Sequence, residues 1–326
     1  MKPTIKDIAA QAGVSIATVS RVLSNKRGTY SEKTKEKILK VAKELGYHKN
    51  TTAVDLVKKK ADEIAVIINA TPTNFSNMIL SGIQQRATEL GQRVIILYAG
   101  DRNTDMQHQA ITTVMARSVS GILLLAVEPD ATDLELLKET RTPFCFVSLY
   151  FGDDQILSIS SDNKALAYQA TEYLINNGHT KIGLAGIDDY HTGSQRVLGY
   201  QTAMRDHGLV AKNDWVKRGD YSYEAGRQLL QAFLPLEVTA IIAASDMVAV
   251  GLLNAAQQSQ IAVPDKLSII GIDGTFICEV TTPPITSVTQ NFYEIGVRSV
   301  DKVMGKATET FVPTRIVVRG SVKLNR

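Results

Sequence analysis

TIKDIAAQAGVSIATVSRVL, residues 4–23, is the stretch on which the fold of this 326-residue chain turns. Asp7 stands three residues after Thr4, the spacing at which an acidic side chain reaches back to close the first turn of a helix. Ile5, Ile8, Ala9 and Ala12 then recur at helical intervals, and Gly13 ends the run. Ser15 opens a second helix with Val19, Val22 and Leu23 on its apolar side. Two short helices joined by a tight, glycine-containing turn form a helix-turn-helix. In that motif the start of the second helix enters the major groove of DNA. Here it presents Ser15, Ile16, Ala17 and Thr18, with Arg21 one turn further on. An arginine fork matches guanine O6 and N7, and small apolar side chains such as Ile16 and Ala17 suit thymine methyl groups.

Outward from this stretch, Ser31 opens a third helix with Ile38, Leu39, Ala42 and Leu45 on one face and Gly46 at its end. Charge separates this head from the rest. Residues 1–60 hold 14 Lys+Arg against 5 Asp+Glu, a net of +9, and the remainder holds 22 against 28, a net of −6. A basic head on an acidic body points to a polyanionic partner for the head, and with the helical pattern that partner is double-stranded DNA.

At these residues the chain resembles the lactose-repressor (LacI/GalR) family. The resemblance rests on Thr4-Ile5-Lys6-Asp7-Ile8-Ala9, Ala12-Gly13-Val14-Ser15 and Thr18-Val19-Ser20-Arg21-Val22-Leu23. It continues through Ser31-Glu32-Lys33-Thr34 and Leu45-Gly46-Tyr47. It implies DNA contacts from Thr4, Ser15, Ile16, Ala17, Thr18, Ser20, Arg21, Asn25, Tyr47, Asn50 and Ala53. Residues 50–60 read by themselves as a polar linker too short for a stable isolated helix. In the family the matching segment is a hinge helix that orders on the operator, and Leu56 stands where a leucine wedges into the minor groove, unstacking a base step. Three positions depart from the family pattern. The loop between Leu23 and Ser31 is a residue longer than usual, with Tyr30 in place of an aliphatic residue. Lys49 replaces a proline, and Ser148 replaces a common aspartate.

From residue 62 on, apolar runs alternate with amphipathic helical stretches. The runs are Ile64–Ile68, Val94–Leu97, Ile122–Val127 and Phe144–Val147, then Ile182–Ala185, Ala240–Ala244 and Leu267–Ile272. Runs of Ile, Val and Leu without alternation predict strands buried on both faces, and alternation with helices predicts parallel sheets covered on both sides. The expected fold is a small all-α helix-turn-helix head on an α/β two-lobed body with parallel sheets, like that of periplasmic sugar-binding proteins. The expected divisions are a head over 1–49, a hinge over 50–61, a first lobe over 62–161 and 291–320, and a second lobe over 162–290. Gly178-His179, Arg196-x-x-Gly199-Tyr200, Ser245-Asp246 and Gly271-Ile272-Asp273 sit where the family's body motifs sit.

Ligands of open parallel sheets bind at the carboxyl ends of the strands. Polar residues collect at those ends: Asn69, Ser148, Ser245, Asp246, Asp273 and Gln290. Polar residues there also cap helices, and that alternative stays open for Asp162 and Asp246. The resemblance adds Arg196, Asp273, Phe292 and, as the ring that packs on the ligand, Tyr221. An aromatic face among carboxylates and one arginine suits a pyranose, so the expected effector is a mono- or disaccharide, with a purine or another polar metabolite as the alternative. Gly199, Tyr200 and His179 read as structural.

Other classes find less support. Phosphate loops, nucleophile elbows and metalloprotease motifs are missing, so neither a catalytic group nor a cofactor is expected. A sugar-binding protein without regulation would leave the basic head without a purpose. Cys145 and Cys278 lie far apart among apolar residues, which predicts two buried thiols. None of His48, His108, His179, His191 and His207 lies at metal-ligand spacing from another. There is neither a signal-peptide pattern nor an apolar run of membrane-spanning length, so a cytoplasmic protein is expected. The chain carries no heptad-rich tail after Thr314–Arg319, which predicts a homodimer.

Overall fold

The computed structural model describes residues 3–23, 30–47, 62–69, 73, 75–153 and 155–323. The chain divides into two compact units, with the boundary between residues 61 and 62.

The first unit is helical: α1 (Ile5–Ala12), α2 (Ile16–Leu23) and α3 (Glu32–Glu44). Asp7 accepts hydrogen bonds from Thr4 N and Oγ1, both at 2.8 Å, and these hold its carboxyl below the usual carboxylate range. Gly13 stops α1 in the left-handed region at φ 64°, a conformation without penalty only for glycine. Ser15 then accepts from Thr18 N at 3.1 Å and starts α2. One small core joins Ile8, Ala9 and Ala12, Val19 and Val22, and Ile38, Val41 and Ala42. The apolar face of α3 therefore runs through Ile38, Val41, Ala42 and Leu45. Leu39, expected on it, is 47% exposed, because position 39 lies outside the i, i+3, i+4 stripe that starts at Ile38.

The second unit holds two sheets. The first contains β1 (Glu63–Ile68), β2 (Arg93–Tyr98), β3 (Gly121–Leu125), β4 (Phe144–Val147) and β5 (Ser158–Ile159), all parallel, in the order β2-β1-β3-β4-β5. Along β1, side chains alternate between two cores. Ile64, Val66 and Ile68 join the core under α4 (Ser76–Glu89) and α12 (Phe292–Val303). Ala65 and Ile67 join the one under α5 (Thr104–Met115) and α6 (Ala131–Glu139). Both faces are apolar, which is why the run carries no hydrophobic alternation. The helices α4 and α12 meet at backbone distance. A Cβ on Gly82 would collide with Tyr293 O, and one on Gly296 with Ile79 O.

The second sheet contains β6 (Ile182–Ile187), β7 (Val216–Arg218), β8 (Ala240–Ala243), β9 (Ser268–Asp273), β10 (Thr286–Thr289) and β11 (Arg315–Val317), in the order β11-β10-β9-β8-β6-β7. On one face lie α7 (Asn163–Asn176) and α8 (His191–Asp206), with Leu166, Leu174, Tyr200 and Met204 against Ile182, Leu184 and Ile242. On the other lie α9 (Tyr223–Phe233) and α10 (Asp246–Gln258), with Leu230, Phe233, Val248 and Leu252 against Ile241 and Ile269. A short helix, α11 (Ile277–Val280), follows β9. The strand β11 is antiparallel to β10 and belongs to this second sheet. The segment 291–320, assigned from the sequence to the first lobe, is therefore split. Its α12 packs on the first sheet and its final strand returns to the second. The chain passes between the sheets three times, after β5, after β10 and before β11.

Gly199 lies so close to Lys164 O that a Cβ would not fit, and Tyr200 is fully buried with its hydroxyl donating to Ile182 O at 2.8 Å. Both Cys145 and Cys278 are buried, and burial pushes the Cys145 thiol up to about 12. Among the described residues, no helix is long and apolar enough to cross a membrane, and no group of His, Cys, Asp and Glu could hold a metal ion.

Candidate functional site

In the first unit, Ser15, Ile16, Ala17, Ser20 and Arg21 are exposed on one outward side of α2, opposite the buried Val19 and Val22. Thr18 is half-buried, and its hydroxyl shares a 2.8 Å hydrogen bond with Ser15 Oγ. Thr4 is exposed at the start of α1. Tyr47 is half-buried and packs against the core of this unit, so its ring is in part structural. Asn25, Asn50, Ala53 and Leu56 lie outside the described residues. The helix α2 thus carries a surface of short polar side chains, one isoleucine and one arginine, on a scaffold fixed by eight buried apolar residues.

In the second unit, a cleft of about 710 Å³ opens at the carboxyl ends of both sets of parallel strands. Each sheet reverses its strand order beside its first strand, between β1 and β3 and between β6 and β8. Adjacent loops diverge at such points and leave a crevice. Asn69 follows β1, and Ala126 and Glu128 follow β3. Asp188 follows β6, and Ser245 follows β8.

Eight of the nine expected ligand contacts line this cleft: Asn69, Ser148, Arg196, Tyr221, Ser245, Asp273, Gln290 and Phe292. Asn69 is buried, donating to Ala126 O at 2.8 Å and accepting from Gln107 Nε2 at 3.3 Å. Arg196 is buried on α8. Its Nε donates to Asn163 Oδ1 at 2.9 Å and its Nη1 to Ala244 O, while its guanidinium stands 5.5 Å from the centre of the Tyr221 ring. Ser245 caps α10, accepting from Val248 N at 3.1 Å, and donates to Tyr221 O at 2.7 Å. Phe292 stacks on Phe75 with centroids 5.1 Å apart, forming an apolar wall. Ser148 at φ 66°, Tyr221 at φ 65° and Asp273 at φ 130° hold backbone conformations unusual for residues with a Cβ, and all three line the cleft.

Asp246 does not line the cleft. Its Oδ2 accepts from Thr275 N at 2.6 Å and Thr275 Oγ1 at 2.7 Å, and its Oδ1 from Ser287 Oγ at 2.7 Å. It ties the loop after β9 to α10 behind the cleft wall. Asp162 is the cap of α7, accepting from Ala165 N at 2.9 Å. Asp273 accepts from Gln290 Nε2 at 2.8 Å. Burial, and then the nearby Asp246 charge, push its carboxyl up to about 8 against the pull of Arg196.

Among the lining residues that escaped the sequence reading are Arg102, Glu128, Asp188 and Tyr190. Arg102, after β2, reaches across the cleft to Asp188, after β6, with Nη2 to Oδ2 at 2.7 Å. Tyr190 lies beneath its guanidinium, 3.7 Å from the ring centre. Asp188 also accepts from the Tyr221 hydroxyl at 3.0 Å. Glu128 is half-buried beside Arg102 and Asp188, and burial raises its carboxyl above the usual range. Glu128 follows the apolar run Ile122–Val127 and Asp188 follows β6, so the rule that found Asn69 and Ser245 applies to them too.

Residues 4–50 match the model of bacterial regulatory proteins of the lacI family, and residues 171–322 match a periplasmic binding protein-like domain. Over 99% of its length the chain is 31% identical to catabolite control protein A of Priestia megaterium, covering 100% of that protein. The structure of the lac repressor dimer bound to operator and the anti-inducer ONPF superposes with a TM-score of 0.84 at 27% identity, over 98% of this chain and 99% of that one. That of the transcriptional regulator CelR–cellobiose complex superposes with a TM-score of 0.72 at 29% identity, over the same shares of the two chains.

Proposed function

The chain belongs to the lacI family of bacterial regulatory proteins, and on that premise we propose that it is a sequence-specific DNA-binding repressor of carbohydrate-utilisation genes, controlled by a small sugar. The head, residues 1–49, reads the operator through the exposed side of α2. Residues 50–61 form the hinge, with Asn50, Ala53 and Leu56 meeting the minor groove. Two chains pair, and two heads read successive half-sites of a pseudo-palindrome. The effector lies between the lobes, its ring on Tyr221 and its hydroxyls on Asn69, Ser148, Arg196, Ser245, Asp273 and Gln290. The lac repressor structure contains a dimer on its operator and the CelR structure contains cellobiose, which supports this arrangement. An effector that favours one angle between the lobes shifts the pair between states of different DNA affinity, and the coupling is reciprocal.

The observation that carries this reading is the exposed side of α2, where Arg21 and the Ser15–Thr18 turn stand on a three-helix core. The test is selection of full-length protein on a random double-stranded DNA library at a stated salt concentration. A palindromic sequence should emerge that binds about 10³-fold or more tighter than random DNA. Enrichment without a sequence preference would overturn the reading.

A further inference from the structure

We infer that the cleft takes an uncharged or amine-bearing polyhydroxylated ligand and rejects phosphorylated and carboxylated ones. The inference rests on the cleft being the effector site and concerns the charge of what enters it.

Five acidic side chains line the cleft, Asp101, Glu128, Asp188, Asp220 and Asp273, against the two guanidiniums of Arg102 and Arg196; with the raised Asp273 holding its proton at neutral pH, the other four still outnumber the cations. The lining contains neither lysine nor histidine. Both cations are already engaged. Arg102 is paired with Asp188 at 2.7 Å and stacked on Tyr190. Arg196 gives Nε to Asn163 and Nη1 to Ala244 O. A phosphate arriving here would meet an excess of negative charge in a partly desolvated space, where Coulomb interactions are several times stronger than in water.

Helix N-termini are the other common anion sites in such folds. The helices α5, α7, α10 and α12 begin at this cleft, and each already has its own side-chain acceptor. Asn103 accepts from Met106 N at 3.0 Å, Asp162 from Ala165 N at 2.9 Å, Ser245 from Val248 N at 3.1 Å and Asn291 from Glu294 N at 3.2 Å. At α8, which no side chain caps, the Asp188 carboxylate accepts from the preceding Tyr190 N at 3.3 Å and lies against Gly193 of the first turn, so an anion arriving there would meet a carboxylate. Glu128 is the complementary feature. Its carboxylate is desolvated, and no hydrogen bond or ion pair holds it among the described residues, so it is available to a ligand hydroxyl or ammonium.

The test is calorimetric titration of full-length protein with matched sets: a hexose, its 2-amino derivative, its 6-phosphate and its uronic acid, together with a nucleoside and its 5′-monophosphate. In any set that binds, the uncharged or amine-bearing member should bind at least tenfold more tightly than the anionic ones. Glu128→Gln should narrow that ratio at least threefold while leaving the melting temperature within a degree of wild type. An anionic member binding as tightly as its parent overturns the inference and leaves the sugar reading intact. Binding of the nucleoside alone overturns the sugar reading and supports the inference. Silence of every uncharged and amine-bearing probe overturns the inference, and operator binding by the same sample separates that result from failure of the regulator reading.

Discussion

Arg102 donates through Nη2 to Asp188 Oδ2 at 2.7 Å and stands over the Tyr190 ring, so a residue of the first lobe is fastened to two of the second. Asp188 is buried and also accepts from the Tyr221 hydroxyl. The contact therefore links the two lobes to the aromatic ring in the cleft. Arg102 is itself 44% exposed, so solvent screens part of the attraction. Arg102→Ala should cost about 1 kcal/mol in lobe closure, which reads as about fivefold weaker effector binding. Titration of wild type and variant with the same sugar checks this, and equal affinities would show that the pair does not contribute to closure.

The Asp273 carboxyl gives stability a pH dependence whose sign can be worked out. Its folded-state pKa of about 8 lies above the unfolded value, so the folded chain holds a proton that the unfolded chain releases. Its contribution is fully present below about pH 4 and is lost as pH rises toward 8, with a limiting slope of about 1.4 kcal/mol per unit. Asp273→Asn keeps an acceptor for Gln290 and removes the titration. Relative to wild type, the variant should gain stability steadily between pH 5 and pH 8. Melting curves of both proteins across that range measure the difference, and parallel curves would contradict the shift.

The contact between α4 and α12 leaves no room for a methyl group at Gly82, where a Cβ would strike the Tyr293 carbonyl. Gly82→Ala should force these helices apart and destabilise the body by about 1–3 kcal/mol. Urea unfolding would show the loss as a lower midpoint at unchanged slope.

Arg21→Ala should remove the arginine fork from the exposed side of α2 without touching the core of the head. A guanine contact of this kind is worth about 1–3 kcal/mol of discrimination, so specific operator affinity should fall about 10- to 100-fold. Fluorescence anisotropy on selected and random DNA would separate that loss from the smaller change in non-specific binding. Effector affinity measured on the same variant should not move.

Two exposed aromatic residues mark the proposed surface of the homodimer. Tyr98, 68% exposed, ends the edge strand β2, and Phe276, 72% exposed, precedes α11. Apolar side chains and open strand edges are stable in water when a partner covers them. Tyr98→Glu and Phe276→Glu should each shift sedimentation from dimer toward monomer. A sedimentation coefficient unchanged in both would place the dimer contact elsewhere.

What the sequence by itself determined follows from local rules. Capping at Thr4 and Ser31, the glycine stops and the 3.6-residue stripes made the head readable. Strands such as Ile64–Ile68 stood out because both faces are buried and no polar residue interrupts them. Five of the six strand-end residues expected at the cleft line it because strand ends and ligand crevices coincide in parallel sheets, whereas Arg196, Tyr221 and Phe292 were legible through the family resemblance. Where two uses of a polar residue share one local pattern, only the tertiary structure decided. Ser245 and Asp246 are adjacent, yet the first lines the cleft and the second turns to Thr275 and Ser287, which lie 29 and 41 positions away. The strand Val216–Arg218 gave no apolar signal because it is three residues long at a sheet edge, with Val216 packed on the core and Arg218 exposed. Arg102 and Asp188 are 86 residues apart in polar loops, and their pairing exists only because two separately folded sheets bring them to one cleft. Periodicity records what each element buries, whereas contacts between lobes depend on distances that no local pattern encodes.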